Sequence, residues 1–108
     1  MIAQSEIKRL KQDILKNSLF KPRASLAKCF ADPTCLRILY ILNNTPYACP
    51  SDFSQILDLS LPTVSHQLAK LRQMNIVTSF RDGQIICYSI GEGEEALLVK
   101  KSVQTLLA

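Results

Sequence analysis

The segment from Leu59 to Met74 constrains the fold more than any other part of this 108-residue chain. Apolar residues recur in it at the spacing of a helix that buries one face, and they are Leu61, Val64, Leu68 and Leu71. Ser60 stands just before this pattern, and serine is a favoured helix N-cap. We therefore predict an amphipathic helix that packs on the rest of the protein.

The opposite face of this predicted helix carries hydrogen-bonding side chains instead of the Glu and Lys that are usual on a surface helix. These side chains, three or four residues apart, are Thr63, His66, Gln67 and Lys70. Groups of this kind donate hydrogen bonds to base edges and to phosphates. No acidic residue that would repel a phosphate occurs from Leu59 to Arg81. The pattern predicts a helix that recognises DNA.

A short helix is predicted just before the recognition helix, from about Ser51. Its expected inward side chains are Phe53, Ile56 and Leu57. Only residues 58–60 connect it to the next helix, and two helices joined by so short a turn are typical of a helix-turn-helix.

After this pair the sequence changes from helical to strand periodicity. Residues 76–80 and 85–90 are rich in β-branched and aromatic side chains, and they flank a segment containing Asp82-Gly83, which is a strong hairpin signal. A hairpin directly after a helix-turn-helix is a wing. Arg81 and Gln84 lie near its predicted tip, where they could reach a phosphate or the minor groove or could form an ordinary solvated turn.

The remaining segments predict four further helices. Ser5 is the expected cap of a helix that runs to about Asn17, with its apolar stripe at Ile7, Leu10, Ile14 and Leu15. The next two are predicted at 23–30 and 34–43, the latter buried and capped by Asp32, and the last begins at about Glu94. The predicted fold class is mainly α with a small β-hairpin, in a single domain of residues 1–108.

Composition narrows the classes of function. Residues 1–42 carry eight Lys or Arg against three acidic residues, a surplus that suits nucleic acid or a solvated basic face equally well. No run of 18 apolar residues could span a membrane, and the first residues lack the pattern of a signal peptide, so we expect a cytoplasmic protein with four reduced cysteines. No phosphate-binding loop, HExxH or G-x-S-x-G motif occurs, which argues against an enzyme.

Three segments resemble the ArsR/SmtB family of winged-helix repressors. Residues 30–39, FADPTCLRIL, resemble the family's "ALADPTRLRIL". Residues 59–72, LSLPTVSHQLAKLR, are similar to "LSQSTVSHHLKLLR", and residues 82–90, DGQIICYSI, resemble its "EGRWVYYSL" wing. The matches occur in order and at family spacing, over roughly residues 25–90.

The resemblance implies a homodimeric, sequence-specific repressor that binds an inverted repeat in double-stranded DNA and is released by an effector. It implies dimerisation through helices in residues 1–20 and 92–108, a helix-turn-helix in 50–74 and a wing in 76–90. The apolar stripes of both terminal helices agree, because one small core cannot readily bury them all. The implied DNA-contacting residues are Ser60, Thr63, Ser65, His66, Gln67, Lys70, Arg81 and Gln84.

The effector is left open by the sequence. One metal site of the family uses two cysteines within "ELCVCDL"; Cys49 aligns with the first of them, and Ser51 stands at the second. The family's other site uses Asp and His on the last helix, and residues 91–108 contain no His. His66, the only histidine, lies on the predicted DNA-binding face and is interpreted as a contact.

A rearranged thiol site is one alternative. Cys29 and Cys35 could converge with Cys49 into a three-sulfur site for trivalent arsenic or a divalent metal, or they could form a pair that senses oxidants or persulfides. The other alternative is that the cysteines pack as small apolar residues, which is also our interpretation of Cys87.

Two other functions remain open at this stage. A winged helix can bind a protein partner, although such a helix would more often expose aromatic residues, Met or Leu. A constitutive DNA-binding regulator would need no effector. A steep salt dependence of duplex binding would favour the DNA-binding alternatives.

Overall fold

The computed structural model describes all of residues 1–108, as six helices and one two-stranded antiparallel sheet. The elements in chain order are α1 (Gln4–Lys16), α2 (Phe20–Ala31), α3 (Pro33–Asn43), α4 (Pro50–Leu57), α5 (Leu61–Gln73), β1 (Val77–Asp82), β2 (Ile85–Ile90) and α6 (Glu94–Leu106). The predicted class, mainly helical with one small hairpin, is confirmed.

Helix α3 lies at the centre of the molecule and contacts α2, α4, α6 and β2. It is apolar on nearly every side, and the polar atom that it buries without a hydrogen-bond partner is Oδ1 of Asn43, at its last position. Ile38 and Leu39 are fully buried, whereas Tyr40 remains half exposed. The large side chains that are fully buried around it include Phe53, Val64, Leu68, Leu71, Ile76, Val99 and Val103. The buried central helix predicted from the sequence is confirmed.

The turn between α4 and α5 is held by local hydrogen bonds. Asp58 ends α4 in the left-handed conformation, with φ of 54°. The Leu59 N–H then donates to the Ser54 carbonyl at 3.1 Å. The Ser60 hydroxyl accepts from the Thr63 N–H at 3.3 Å, which confirms the predicted cap. These contacts fix the angle at which α5 leaves α4.

The hairpin is tighter than the sequence suggested. Asp82 pairs with Ile85, so only Gly83 and Gln84 form the turn. Gly83 has φ of 66°, and glycine takes this conformation without a steric penalty. Because the turn closes in two residues, Arg81 belongs to strand β1 rather than to the loop where we predicted it.

An isolated antiparallel bridge ties the hairpin to the segment before α4. The Ala48 N–H donates to the Tyr88 carbonyl at 2.9 Å, and the Tyr88 N–H donates back to the Ala48 carbonyl at 2.8 Å. This bridge joins the segment before α4 to β2. The wing is therefore attached to the helix-turn-helix on two sides, through this bridge and through the chain that follows α5.

Two predictions about helix starts are wrong. Helix α1 begins at Gln4, and Ser5 provides no side-chain cap. Helix α2 begins at Phe20 instead of Arg23, because Pro22 falls in its first turn, where a backbone N–H has no partner within the helix. The Asn17 side chain accepts from the Leu19 N–H at 2.9 Å just ahead of this start.

Two residues predicted to face the core are exposed. Leu61, at the first position of α5, is 50% exposed, because α5 reaches the core only at Val64. Ile56 is 62% exposed and lines a surface groove that also includes Tyr40 and Leu107. Helical periodicity identified the correct helices but assigned to each buried face one residue that is exposed.

Helix α1 buries none of its residues. Its apolar side chains lie along one face, and each is at least 40% exposed; they are Ile7, Leu10, Ile14 and Leu15. The chain measures 61 × 23 × 23 Å as a result of this extended arrangement. Helix α6 buries Ala96, Val99 and Val103 but exposes four leucines, Leu97, Leu98, Leu106 and Leu107. No helix is long and apolar enough to cross a membrane.

Candidate nucleic-acid interface

Helix α5 presents four of the predicted contact residues to solvent. Its inner face, formed by Val64, Leu68 and Leu71, is buried in the core. The exposed residues are Thr63, Ser65, His66 and Lys70. A helix anchored by three fully packed residues holds its outer side chains in a fixed register, which reading base edges requires.

Gln67 is placed differently from the other predicted contacts. It is half-buried, and its side-chain Nε2 donates to Asp32 Oδ2 at 3.3 Å. The other oxygen of Asp32 accepts from the Thr34 N–H at 3.0 Å and caps α3. One carboxylate thus connects the recognition helix to the start of the central helix. Helical spacing did not reveal this contact, because Asp32 is distant in sequence and its capping role gave no hint of it.

Ser60 also has a local role. Its hydroxyl caps α5 and lies 2.8 Å from the Thr63 hydroxyl. Both groups stand at the N-terminal end of the helix, where unpaired backbone N–H groups and the helix dipole favour anions. Pro62 has no N–H and the Thr63 N–H is taken by the cap, so the hydroxyl groups and the Leu61 N–H are the donors that this turn offers to a phosphate.

The wing places Arg81 and Gln84 in solvent near its tip. Arg81 is paired across the hairpin with Ile86, so its backbone position is fixed by the sheet. Neither Arg81 nor Lys70 of α5 forms an ion pair with a carboxylate. These two unpaired cations lie beside a helix surface that has no acidic residue. They give this side of the protein a positive field that attracts a phosphate backbone.

A cavity of about 340 Å³ lies between α2, α3 and α5. Cys29 and Cys35 line it together with Gln67, Lys70 and Met74 of the recognition-helix region. The Cys29 thiol is 3.7 Å from the Met74 sulfur. Both thiols therefore lie beside residues of α5.

The two thiols of this cavity differ in acidity. A hydrogen bond from the Cys35 thiol, opposed by burial and helped by the Lys70 ammonium, lowers the pKa of Cys29 to about 7. The same hydrogen bond, together with burial, raises the pKa of Cys35 far above its usual range. Cys29 is therefore the thiol of the pair that is substantially ionised near neutral pH, and the thiolate is the reactive form.

The three-sulfur site considered as one alternative for Cys29, Cys35 and Cys49 is not formed in this structure. The Cys49 sulfur lies 2.9 Å from the sulfur of Cys87, a residue that we had interpreted as packing only. No group of three or more His, Cys, Asp and Glu side chains is placed to hold a metal ion. The reason is topological, because the Ala48 bridge to β2 turns Cys49 towards the wing.

Comparison with known proteins identifies relatives of the chain. The sequence profile described as "Bacterial regulatory protein, arsR family" matches residues 32–79. The cadmium resistance transcriptional regulatory protein CadC homolog of Staphylococcus aureus is 28% identical over 101 residues, which cover 94% of this chain and 83% of that protein. The transcriptional regulator YgaV of Escherichia coli K12 is 36% identical over 67 residues, covering 62% of this chain and 68% of YgaV.

A solved structure agrees with these sequence relatives. The transcriptional repressor PagR of Bacillus anthracis superposes with a TM-score of 0.67 at 30% identity, over 80% of this chain and 93% of PagR. In this chain, α4 and α5 form a helix-turn-helix that is followed by the hairpin of β1 and β2. The architecture around α4, α5 and the wing is therefore that of a winged helix.

Proposed function

This chain belongs to the arsR family of bacterial DNA-binding transcription regulators. On that premise we propose that it is a homodimeric repressor, which binds an inverted-repeat operator through α5 and the wing. The family and its relatives are regulators of transcription, not enzymes. A protein that acts on a bacterial operator works in the cytoplasm, and we propose this location for the chain.

The outer face of α5 is the observation that carries the proposal. It exposes Thr63, Ser65, His66 and Lys70 on a helix whose other side is locked in the core. Side chains of these types donate to base edges and phosphates, and in a helix-turn-helix they enter the major groove. Arg81 and Gln84 are exposed near the tip of the wing. We propose that they contact the adjacent DNA backbone or the minor groove.

The unburied apolar faces of α1 and α6 support the homodimer. Fully burying a Leu or Ile side chain contributes about 1.5–3 kcal/mol, and this monomer leaves such side chains exposed along both helices. We propose that α1 and α6 of two copies cover each other. A two-fold dimer would place its two α5 helices on half-sites about one helical turn, or a small multiple, apart.

Release by a thiol-reactive effector is the regulatory part of the proposal. Its support is the cavity behind α5, where the Cys29 thiol, with its pKa lowered to about 7, lies beside Cys35 and Met74. Modification of Cys29 would enlarge a group that already touches Met74, at the end of the recognition helix. The Staphylococcus aureus relative is named for cadmium resistance, so thiophilic metals and metalloids belong among the effectors to be tested alongside persulfides and oxidants.

Fluorescence anisotropy on DNA from upstream of the gene tests these proposals. The reduced protein should bind with an affinity that falls steeply as salt rises, because bound phosphates release counterions. The complex is then challenged separately with trivalent arsenic, Cd(II), Zn(II), an organic persulfide and hydrogen peroxide. Failure to prefer any inverted repeat over unrelated duplex DNA would contradict the repressor proposal.

Cysteine variants test whether the effector acts at the cavity between α2, α3 and α5. Release by one of the five compounds should be lost in both Cys29→Ser and Cys35→Ser. Release that survives in Cys29→Ser would remove the cavity from the regulatory proposal. Binding that no compound disturbs would identify a constitutive regulator.

A further inference from the structure

Cys49 and Cys87 occupy facing positions in a short antiparallel ladder. The neighbouring pair, Ala48 and Tyr88, exchanges two backbone hydrogen bonds of 2.9 and 2.8 Å. In an antiparallel ladder the next facing pair is not hydrogen-bonded, and its Cα atoms approach to about 4.5 Å. This separation lies within the range of roughly 4.4–6.8 Å that disulfides require. The backbone thus presents the two cysteines at bonding distance.

The side chains follow the backbone. The two Sγ atoms are 2.9 Å apart, so they face each other across the ladder. Both cysteines are free thiols in this structure. No third metal ligand completes a site with them. The pair is therefore arranged for a bond between its own sulfurs rather than for binding a metal ion.

The two thiols differ in how easily a reagent reaches them. Cys49, at the N-cap of α4, is partly exposed, whereas Cys87 in β2 is 1% exposed. A reagent from solvent therefore meets Cys49 first. Cys87 lies behind it, in position to react with whatever group forms on the Cys49 sulfur.

We propose that Cys49 and Cys87 form a reversible dithiol–disulfide pair that exchanges with low-molecular-weight disulfides. The Cys49 thiolate attacks one sulfur of the reagent RSSR, which forms a Cys49–S–SR mixed disulfide and releases RS⁻. The Cys87 thiolate then attacks the Cys49 sulfur, forms the Cys49–Cys87 bond and releases the second RS⁻. In total the protein loses two electrons and two protons, and one RSSR becomes two RSH.

The surroundings of Cys49 set the pH range in which this exchange is fast. The hydrogen bond with Cys87 is the main cause that raises the pKa of Cys49 to about 11, with burial and the carboxylates of Asp52 on α4 and Asp82 on β1 acting in the same direction. Only a small fraction of Cys49 is then thiolate at neutral pH, so the exchange is slow there and accelerates as pH rises. Disulfide bonds that exchange in a reducing compartment are regulatory more often than structural.

The disulfide would connect the recognition motif to the wing. Cys49 immediately precedes α4, and Cys87 lies in the middle of β2. The bond would close a loop that contains α4, α5 and β1. Because constraining a long loop limits the unfolded chain, we expect the oxidised protein to unfold at a higher urea concentration than the reduced protein.

The experiment uses the full chain carrying Cys29→Ser and Cys35→Ser, so that only the proposed pair can react. It is incubated at pH 8.5 with oxidised glutathione, quenched with acid and analysed by intact mass and peptide mapping. The expected product is lighter by two hydrogen atoms, contains a Cys49–Cys87 linkage and returns to the dithiol with dithiothreitol. Adding Cys87→Ser should instead leave a stable glutathione adduct on Cys49.

A glutathione adduct that persists on Cys49 while Cys87 is intact would overturn the proposal, as would a linkage only between two chains. The readout is covalent and needs no DNA. Its failure is therefore distinct from failure of the repressor proposal, and a protein that binds no operator could still form this disulfide.

Discussion

Residues 33–90 and helix α1 differ in how far their apolar side chains are buried. In the former, Ile38, Leu39 and Phe53 have no exposed surface, and one core unites α3, α4, α5 and the hairpin. In α1, every large apolar side chain is at least 40% exposed. Because the burial of apolar surface is the main favourable term in folding, the first region is stabilised by this core, to which α2 and α6 also contribute, whereas α1 buries no residue in it.

The difference separates folding from assembly. Substitutions in the core should change the free energy of unfolding, whereas substitutions on the α1 stripe should change association between chains. Two of the four predictions that follow test this division, and the other two test the reading helix and the thiols, in order of decreasing expected effect.

Phe53→Ala should lower the free energy of unfolding by about 3–5 kcal/mol, because it removes a fully buried aromatic ring and leaves a cavity. Urea denaturation followed by circular dichroism measures the change. Phe80→Ala is the matched control, since that ring is 42% exposed and its loss should cost much less. Equal losses in the two variants would contradict the core described for residues 33–90.

Ile14→Glu should weaken dimerisation by roughly 3 kcal/mol, since it places a charge in the apolar stripe of α1 on each copy. Sedimentation velocity should show monomers that keep most of the helical circular dichroism signal, which comes from α2 to α6. Gln12→Glu, with the same change of charge on the opposite face of α1, should remain dimeric. A dimeric Ile14→Glu variant would show that α1 has another role.

His66→Ala should cost about 1–3 kcal/mol on the operator and less on unrelated DNA if this side chain reads a base. Lys70→Ala should weaken binding to all sequences alike and reduce the salt slope by about one, as expected for a phosphate contact. Gln67→Ala should have an effect like that of His66→Ala only if Gln67 leaves Asp32 when DNA binds. Anisotropy titrations at several salt concentrations distinguish these cases, and three variants that bind like the original protein would show that α5 is not the reading helix.

The Cys29 thiol, on α2, should ionise at a lower pH than the Cys49 thiol, which precedes α4. Alkylation of Cys29 by iodoacetamide should reach half its maximal rate near pH 7, in line with its pKa of about 7. Cys49, with a pKa of about 11, should react about tenfold faster with each added pH unit, without levelling off at pH 9. Time-resolved mass spectrometry measures both rates.

Removal of Cys35 provides the control for this last prediction. Cys35→Ala deletes the hydrogen bond that is the main cause of the lowered pKa of Cys29. The Cys29 profile should then move to higher pH while that of Cys49 stays in place. Identical profiles for the two thiols would contradict the environments described here.

Local patterns allowed much of the fold to be predicted from the sequence. Ser60 as a cap, Asp32 as a cap and the hairpin at Gly83 are all short-range features, and the structure confirms them. The edges of buried faces were harder, as Leu61 and Ile56 show, because they depend on how closely helices approach.

The candidate site divides in the same way. The exposed face of α5 follows from helical spacing, so Thr63, His66 and Lys70 could be placed on it in advance. The contact of Gln67 with Asp32 and that of Cys49 with Cys87 join residues 35 and 38 positions apart. No periodicity encodes such contacts. They arise only once the tertiary arrangement brings the α2–α3 junction against α5 and the Ala48 bridge against β2.

The bridge between Ala48 and Tyr88 gives the wing the mechanics of a clamped beam. From Tyr88 to Gln84 the strand projects by about 13 Å beyond this clamp. A beam held on both sides at its base bends little at its tip, so the offset between Gln84 and the reading helix is nearly constant. Such a part works as a gauge, because a duplex whose groove spacing differs from that offset must deform to fit it. Sequence preference can then arise from the stiffness of the DNA at positions that no side chain touches.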